Sequence, residues 1–267
     1  MFRSVLAAAL ALLALPLPAA EWVHDPISGC AVWNAHPVPG EIASWSGACA
    51  DGRAAGPGVL VWFAGGRIEG RFQGVLRDGR PDGWGVYDDR VEAGYDHYVG
   101  EFDATRRHGL GTLTFAAGGS YEGGFAGGRP EGWGIWRRAD GSRLDGEFVD
   151  GAPHGAVFEE LANGDMYHGL YDAGVRAGPG ILISASGLRY EGEFAGGVPS
   201  GVGRLRGLDG SNYLGDFERG RPDGEGIYTL ASGESWQGRF AAGEPQGELL
   251  HTAVSGEQEM VSAEDLR

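Results

Sequence analysis

The stretch YEGGFAGGRPEGWGIW, residues 121–136, mixes glycines with aromatic and charged residues. Taken alone, its glycines suit a phosphate-binding loop, a disordered linker or one unit of a repeat. A phosphate-binding loop occurs once, between a strand and a helix, and disordered segments are poor in aromatic residues. Here the same mixture of rings and glycines returns every twenty-three residues, which is typical of a repeat architecture. Further copies begin at residues 98, 144, 167, 190, 213 and 236.

Each copy, numbered from its first ring, has the same order of residue types. Rings stand at positions 1 and 5, except for Leu144 at position 1 of one copy, and glycines stand at positions 3, 8, 12, 14 and 21. Ring-x-Gly-x-ring and Gly-x-Gly-x-apolar both have a period of two, which places the repeated residues on one face of a strand. Each repeat therefore predicts two strands that form a β-hairpin. Asp-Gly and Asn-Gly pairs at positions 20 and 21 are strong turn signals because they accept positive φ.

The glycines within the strands are interpreted as sockets for the rings. Glycine weakens a strand and usually marks the close approach of another group, and a ring laid over a strand glycine fixes the register. We expect the rings at positions 1 and 5 to lie over the glycines at positions 3, 12 and 14. The candidate core rings are Trp45, Tyr98, Phe102, Tyr121, Phe125, Phe148, Tyr167, Tyr171, Tyr190, Phe194, Tyr213, Phe217, Trp236 and Phe240, and the candidate glycines are Gly123, Gly132, Gly134, Gly146, Gly155, Gly192, Gly201, Gly203, Gly215, Gly224 and Gly226.

Two irregular copies precede the regular ones, so the array has nine repeats over residues 45–249. Departures are few: Thr105 replaces the glycine at position 8, and Val157 and Leu249 replace the glycine at position 14. The copies begin at residues 45, 72, 98, 121, 144, 167, 190, 213 and 236.

The pattern Tyr-x-Gly-x-Phe/Trp-x-x-Gly-x-x-x-Gly-x-Gly on this period closely resembles the MORN-repeat family (membrane occupation and recognition nexus). The resemblance covers residues 45–249. It implies an all-β fold, an elongated single-layered antiparallel sheet of tandem hairpins that serves as a scaffold or binding surface. Two strands per repeat at about 4.8 Å each predict a length of roughly 85 Å.

The two ends of the chain differ from the array. Residues 1–20 read as a secretory signal peptide, with Arg3 before an apolar run and small residues at the end, although a retained anchor is the alternative. Residues 21–44 are interpreted as an N-terminal cap, and residues 250–267 as a frayed tail or a short covering element. In a secreted or periplasmic protein Cys30 and Cys49 are expected to form a disulfide, the alternative being two unrelated thiols.

Catalytic and metal-binding motifs are missing from the sequence. It has no CxxC, HExxH or GxSxG, and no cofactor is expected. His108 and His154 both occupy position 11, beside a turn. Carboxylates at positions 2 and 4 point away from the rings, where they form a solvated acidic face or, alternatively, a site for calcium or a basic partner. They are Glu101, Glu122, Asp145, Glu147, Glu191, Glu193 and Asp216.

Charge narrows the range of partners. The chain carries a net charge of −16, which opposes nucleic acid and anionic lipid at long range. The leading hypothesis is a non-enzymatic scaffold of the bacterial envelope that binds an unknown protein or polysaccharide along an extended β-surface. A lipid-associating module ranks second, because the sequence has no cluster of four basic residues, and a hydrolase or kinase ranks last.

Overall fold

The computed structural model describes residues 20–266, and within them the chain is all-β. The predicted signal peptide lies almost entirely outside these residues. No helix in the described part of the chain has the length and apolar character needed to cross a membrane. The only helical element there is a 3-10 turn over Ala263–Leu266.

The N-terminal strands pack onto the first long hairpin. Strands β3 and β4 pair antiparallel with β5, and β2 meets β5 in parallel at Ala31. A disulfide joins Cys30 to Cys49, so the predicted pairing is present. The buried carboxylate of Asp25 accepts the backbone N–H of Trp45 at 3.0 Å, which ties the same segment to the array. The strands are β1 (Glu21–His24), β2 (Ala31–Asn34), β3 (Ile42–Trp45), β4 (Ala48–Ala50) and β5 (Arg53–Ala64).

From β5 onward every strand pairs antiparallel with the next one, so the sheet is a continuous meander. The remaining strands are β6 (Arg67–Arg77), β7 (Arg80–Val91), β8 (Gly94–Asp103), β9 (Arg106–Thr114), β10 (Gly119–Ala126), β11 (Arg129–Arg138), β12 (Arg143–Val149), β13 (Ala152–Glu160), β14 (Met166–Asp172), β15 (Val175–Ile183), β16 (Arg189–Ala195), β17 (Val198–Arg206), β18 (Asn212–Glu218), β19 (Arg221–Thr229), β20 (Ser235–Ala241), β21 (Glu244–Thr252) and β22 (Gln258–Ser262).

The glycines at positions 3 and 14 lie opposite each other in one row across the sheet. Gly123 pairs with Gly111 on one side and with Gly134 on the other. The ring at position 1 lies over this row. A Cβ placed on Gly203, for example, would come within 2.5 Å of the Tyr190 hydroxyl. The row includes Gly134, Gly146, Gly192, Gly203, Gly215 and Gly226 among the candidate glycines.

The position 12 glycines have a different role from the one expected. A Cβ on Gly132 would meet nothing within 4 Å, so this glycine is not a socket. Its φ is +74°, and it lies in a β-bulge where the register shifts between Gly123 and Phe125. Positive φ is a conformation that side chains disfavour, and bulges bend a strand. Gly155, Gly201 and Gly224 also have positive φ, at 65°, 62° and 119°.

Each repeat has two turns, a tight one at positions 7 and 8 and a longer one at positions 20 and 21, where the Gly141 N–H donates to the Arg138 carbonyl at 3.0 Å. Asp150 and Gly151 both have positive φ, which defines a type I′ turn. In the Asp-Gly pair at positions 20 and 21 only Gly141 has positive φ, and Asp140 instead accepts the backbone N–H of Ser142 at 2.8 Å. The Gly151 N–H also donates to Pro130 of the preceding repeat, which links neighbouring turns.

The core is a chain of rings in edge-to-face contact on one side of the sheet, called here the ring face. Tyr190 lies 5.2 Å from Phe194 in its own repeat and 4.9 Å from Phe217 in the next, measured between ring centroids. The predicted core rings are buried except Trp236, which is half-buried and stacks on His251. The buried ones are Trp45, Tyr98, Phe102, Tyr121, Phe125, Phe148, Tyr167, Tyr171, Tyr190, Phe194, Tyr213, Phe217 and Phe240.

Candidate binding surfaces

The face opposite the rings carries exposed apolar side chains at position 13. Trp84, Leu110 and Trp133 are 59, 64 and 66% exposed. Each precedes a glycine of the row described above, namely Gly85, Gly111 and Gly134. The three side chains therefore lie in one line that crosses strands β7, β9 and β11. We call Trp84, Leu110 and Trp133 the outer stripe. The repeat pattern does not mark it, because position 13 has no fixed residue type.

The other repeats show that the fold does not need large apolar residues at position 13. The equivalent strands carry proline, alanine, valine or glutamate there, and these residues are also exposed. Because other repeats have glutamate at this position, packing within the sheet does not require a large apolar side chain there. Two exposed tryptophans in such a row are therefore candidates for recognition. The equivalent residues are Pro57, Ala156, Pro179, Val202, Glu225 and Glu248.

A carboxylate lies directly across from each tryptophan of the stripe. Trp84 pairs with Glu101 on the next strand, and Trp133 pairs with Glu147. Within the described residues neither carboxylate forms an ion pair, although Glu101 accepts the backbone N–H of Leu110 at 3.2 Å. Leu110 lies opposite Gly124, which leaves the centre of the stripe open. The outer stripe thus offers two Trp–Glu pairs around an aliphatic centre.

The predicted carboxylate ladder lies on this outer side, but its members are spread out. In the described part of the chain no group of three or more His, Cys, Asp or Glu side chains could hold a metal. Position 4 carboxylates instead cover the bulges: Asp216 accepts the backbone N–H of Glu225 at 3.0 Å. Glu122, Glu191 and Glu193 are exposed, and Asp145 forms an ion pair with Arg143.

A cleft of about 970 Å³ opens on the ring face between the N-terminal segment and the hairpin tips. Trp33 and His36 line one side, and Arg107 lines the other. Its charges have both signs, and a 2.7 Å ion pair between Arg90 and Glu69 lies within it. The cleft therefore does not single out one class of ligand.

One buried charge interrupts the ring face. Glu159 occupies position 16, where the other repeats have leucine or an aromatic residue, and it is only 4% exposed. It accepts hydrogen bonds from Tyr171 at 2.5 Å, Arg176 at 2.6 Å and Arg138 at 2.9 Å. Burial by itself raises the pKa of Glu159, but these hydrogen bonds outweigh it and hold the pKa below its ordinary value. The sequence signal was present: an acid in an apolar column, together with tyrosine at the position 5 phenylalanine site.

The repeat pattern also matches a known family. The profile of the MORN repeat matches six copies, at residues 98–120, 121–143, 145–156, 167–189, 190–212 and 213–235. The chain belongs to the MORN-repeat family. The structure adds to these six matches the hairpins that follow residues 72 and 236, which continue the same meander.

Solved structures give weaker likenesses, and no curated protein matches this MORN-repeat chain. One likeness is the SAS-4 (dCPAP) TCP domain of Drosophila melanogaster, solved with a proline-rich motif of Ana2 (dSTIL). It has 10% identity, a TM-score of 0.39 and coverage of 66% of this chain and 89% of that one. Another is the TCP10 domain of Danio rerio CPAP, with 15% identity, a TM-score of 0.40 and coverage of 76% and 91%. Neither likeness carries an argument about what this chain does.

Proposed function

We propose that this MORN-repeat chain is a non-enzymatic scaffold that binds a protein partner through its outer stripe. The observation that carries the proposal is that Trp84 and Trp133 are exposed at a position where the same sheet tolerates Glu225 and Glu248. Tryptophan is enriched among the residues that dominate binding energy at protein interfaces. Covering a tryptophan side chain on binding would contribute about 1.5–3 kcal/mol from the hydrophobic effect.

The array itself supports this role. Rings fill the ring face and stabilise the sheet, which leaves the outer face as the free broad surface of an extended body. Repeat proteins commonly bind partners along such extended surfaces.

The proposed location is the bacterial envelope or the exterior. The Cys30–Cys49 disulfide is compatible with an oxidising compartment, and the first twenty residues resemble a signal peptide. An envelope polysaccharide is the alternative partner at the same stripe, because sugar rings also stack on tryptophan.

A capture experiment tests the proposal. Residues 21–267 are immobilised and exposed to envelope extract, beside a Trp84→Glu/Trp133→Glu variant and a Val202→Glu control at the same position of another repeat. We expect a protein retained by wild type and by the control, and lost from the double variant. Circular dichroism and unfolding midpoints should show that the variants remain folded, since glutamate occupies position 13 naturally.

Two outcomes contradict the proposal. Equal retention by the double variant removes the outer stripe as the binding surface. Retained material that resists protease and proves to be carbohydrate replaces the protein partner by a polysaccharide.

A further inference from the structure

The spacing of the outer stripe defines a repeat distance for its ligand. Neighbouring strands lie about 4.8 Å apart, and consecutive members of the stripe are two strands apart. Trp84, Leu110 and Trp133 therefore follow one another at roughly 9.6 Å on one line across the sheet.

A polyproline II helix has the matching repeat. It has three residues per turn and rises about 3.1 Å per residue, so residues i, i+3 and i+6 face the same way at intervals of roughly 9.3 Å. An extended β-strand presents one side at intervals of about 6.6 Å, which fits poorly. An α-helix returns to the same face after seven residues, about 10.5 Å, and over two steps it is out of place by roughly 2 Å.

The charges indicate which side chains the ligand carries. Each tryptophan lies across from a carboxylate without an ion-pair partner in the described chain, Glu101 beside Trp84 and Glu147 beside Trp133. A lysine or arginine side chain could contact the tryptophan face and the carboxylate together, because cations are attracted by both groups. Leu110, opposite Gly124, presents an aliphatic side chain to the residue between them, and the Glu101 carboxylate lies beside its backbone N–H.

We infer that the partner of this chain contributes a proline-rich segment in the polyproline II conformation, with basic residues at i and i+6 and an apolar residue, such as proline, at i+3. The segment runs across the strands, with its cations at the two Trp–Glu pairs and its centre on Leu110. This inference rests on the proposed function and adds the chemistry of the partner. A neutral polysaccharide fits the spacing but leaves both carboxylates without a partner.

Peptide binding by fluorescence polarisation tests the inference. The probe is fluorescein-labelled GRPPPPPRG, whose arginines stand at i and i+6, and the matched control GRPPPPRPG places the second arginine at i+5. At low salt the i+6 probe should bind the mature chain at least about tenfold more tightly, because an i+5 arginine projects from another side of the helix. Trp84→Glu/Trp133→Glu should abolish this binding.

Charge-neutral variants test the recognition of the arginines. Glu101→Gln/Glu147→Gln should weaken binding of the i+6 probe about tenfold and reduce its salt dependence, whereas Glu225→Gln, a control in the same row, should change neither. Equal affinity for both peptides, or binding that survives the loss of both tryptophans, overturns the inference.

The two proposals can fail separately. If neither peptide binds but envelope capture still depends on Trp84 and Trp133, the stripe remains a protein-binding surface and the polyproline assignment is wrong. Tryptophan-dependent binding of chitohexaose, with no peptide binding, assigns the stripe to polysaccharide and overturns both.

Discussion

The hairpins at residues 190–212 and 144–166 cover the glycine row of the sheet with different side chains. In the repeat at residues 190–212 the Tyr190 ring lies over Gly192 and Gly203, and its hydroxyl donates to the carbonyl of Glu193 at 2.8 Å. In the repeat at residues 144–166, by contrast, Leu144 stands at position 1 and Val157 at position 14. A Cβ on Gly146 would meet the Val157 side chain, rather than a ring, at 2.8 Å.

This difference shows that positions 1 and 14 are coupled. A bare glycine at position 14 leaves room for a tyrosine, and a side chain there excludes it. The last repeat agrees, because Leu249 at position 14 is buried while Trp236 at position 1 is only half-buried. The ring chain is consequently continuous from Phe72 to Phe148 and again from Tyr171 to Phe240, with Leu144 between the two parts.

The largest expected loss of stability comes from giving the 190–212 hairpin the valine that the 144–166 hairpin has at position 14. Gly203→Val should destabilise the protein by about 3–5 kcal/mol, because the new side chain displaces the buried Tyr190 ring, at the usual cost of losing such a ring. Urea unfolding measures the change. Adding Tyr190→Leu reproduces the Leu144–Val157 pair and should recover at least half of the loss, and a double variant no more stable than Gly203→Val contradicts the coupling.

A smaller loss is expected from breaking the ionic cluster of the 144–166 hairpin. Arg176→Ala should cost about 3 kcal/mol, because it leaves Glu159 buried with one arginine fewer. Glu159→Leu with Tyr171→Phe and Arg176→Pro copies Leu205, Phe217 and Pro222 of the regular repeats and should change stability by less than about 1 kcal/mol, because every buried partner of the charge is replaced as well. If the triple replacement costs more than Arg176→Ala in the same unfolding assay, the cluster is needed for more than charge compensation.

Low pH should remove the contribution of the Glu159 cluster to the free energy of unfolding. The pKa of Glu159 is lowered in the folded state, so its stabilisation is complete above its unfolded pKa of about 4.5 and is lost as pH falls through the folded value. The stability gap between wild type and Glu159→Gln should therefore be constant from pH 7 to 5 and shrink below about pH 4.5. A gap that widens on acidification contradicts this sign.

The last prediction is the absence of an effect: the protein should not bind anionic liposomes at physiological salt. The chain is strongly acidic, and Arg137 and Arg138, the best basic pair beside the 144–166 hairpin, pair with Glu122 and Glu159. Sedimentation with phosphatidylglycerol or phosphoinositide vesicles measures this. Binding that disappears in Arg106→Glu/Arg107→Glu would instead favour the membrane role.

Local spacing is enough to predict the period and the strand faces, because a period of two places Tyr190, Gly192 and Phe194 on one face whatever surrounds them. The Cys30–Cys49 disulfide is expected from the presence of two cysteines in a secreted chain rather than from spacing. The roles of individual glycines and of the outer face depend instead on the tertiary structure. Gly201 and Gly203 are two residues apart and belong to the same motif. Gly201 permits a β-bulge, whereas Gly203 makes room for the Tyr190 ring, because the role of each glycine depends on what the neighbouring strand places beside it. Likewise Trp84, Leu110 and Trp133 are distant in the chain, and cross-strand register alone brings them onto one line.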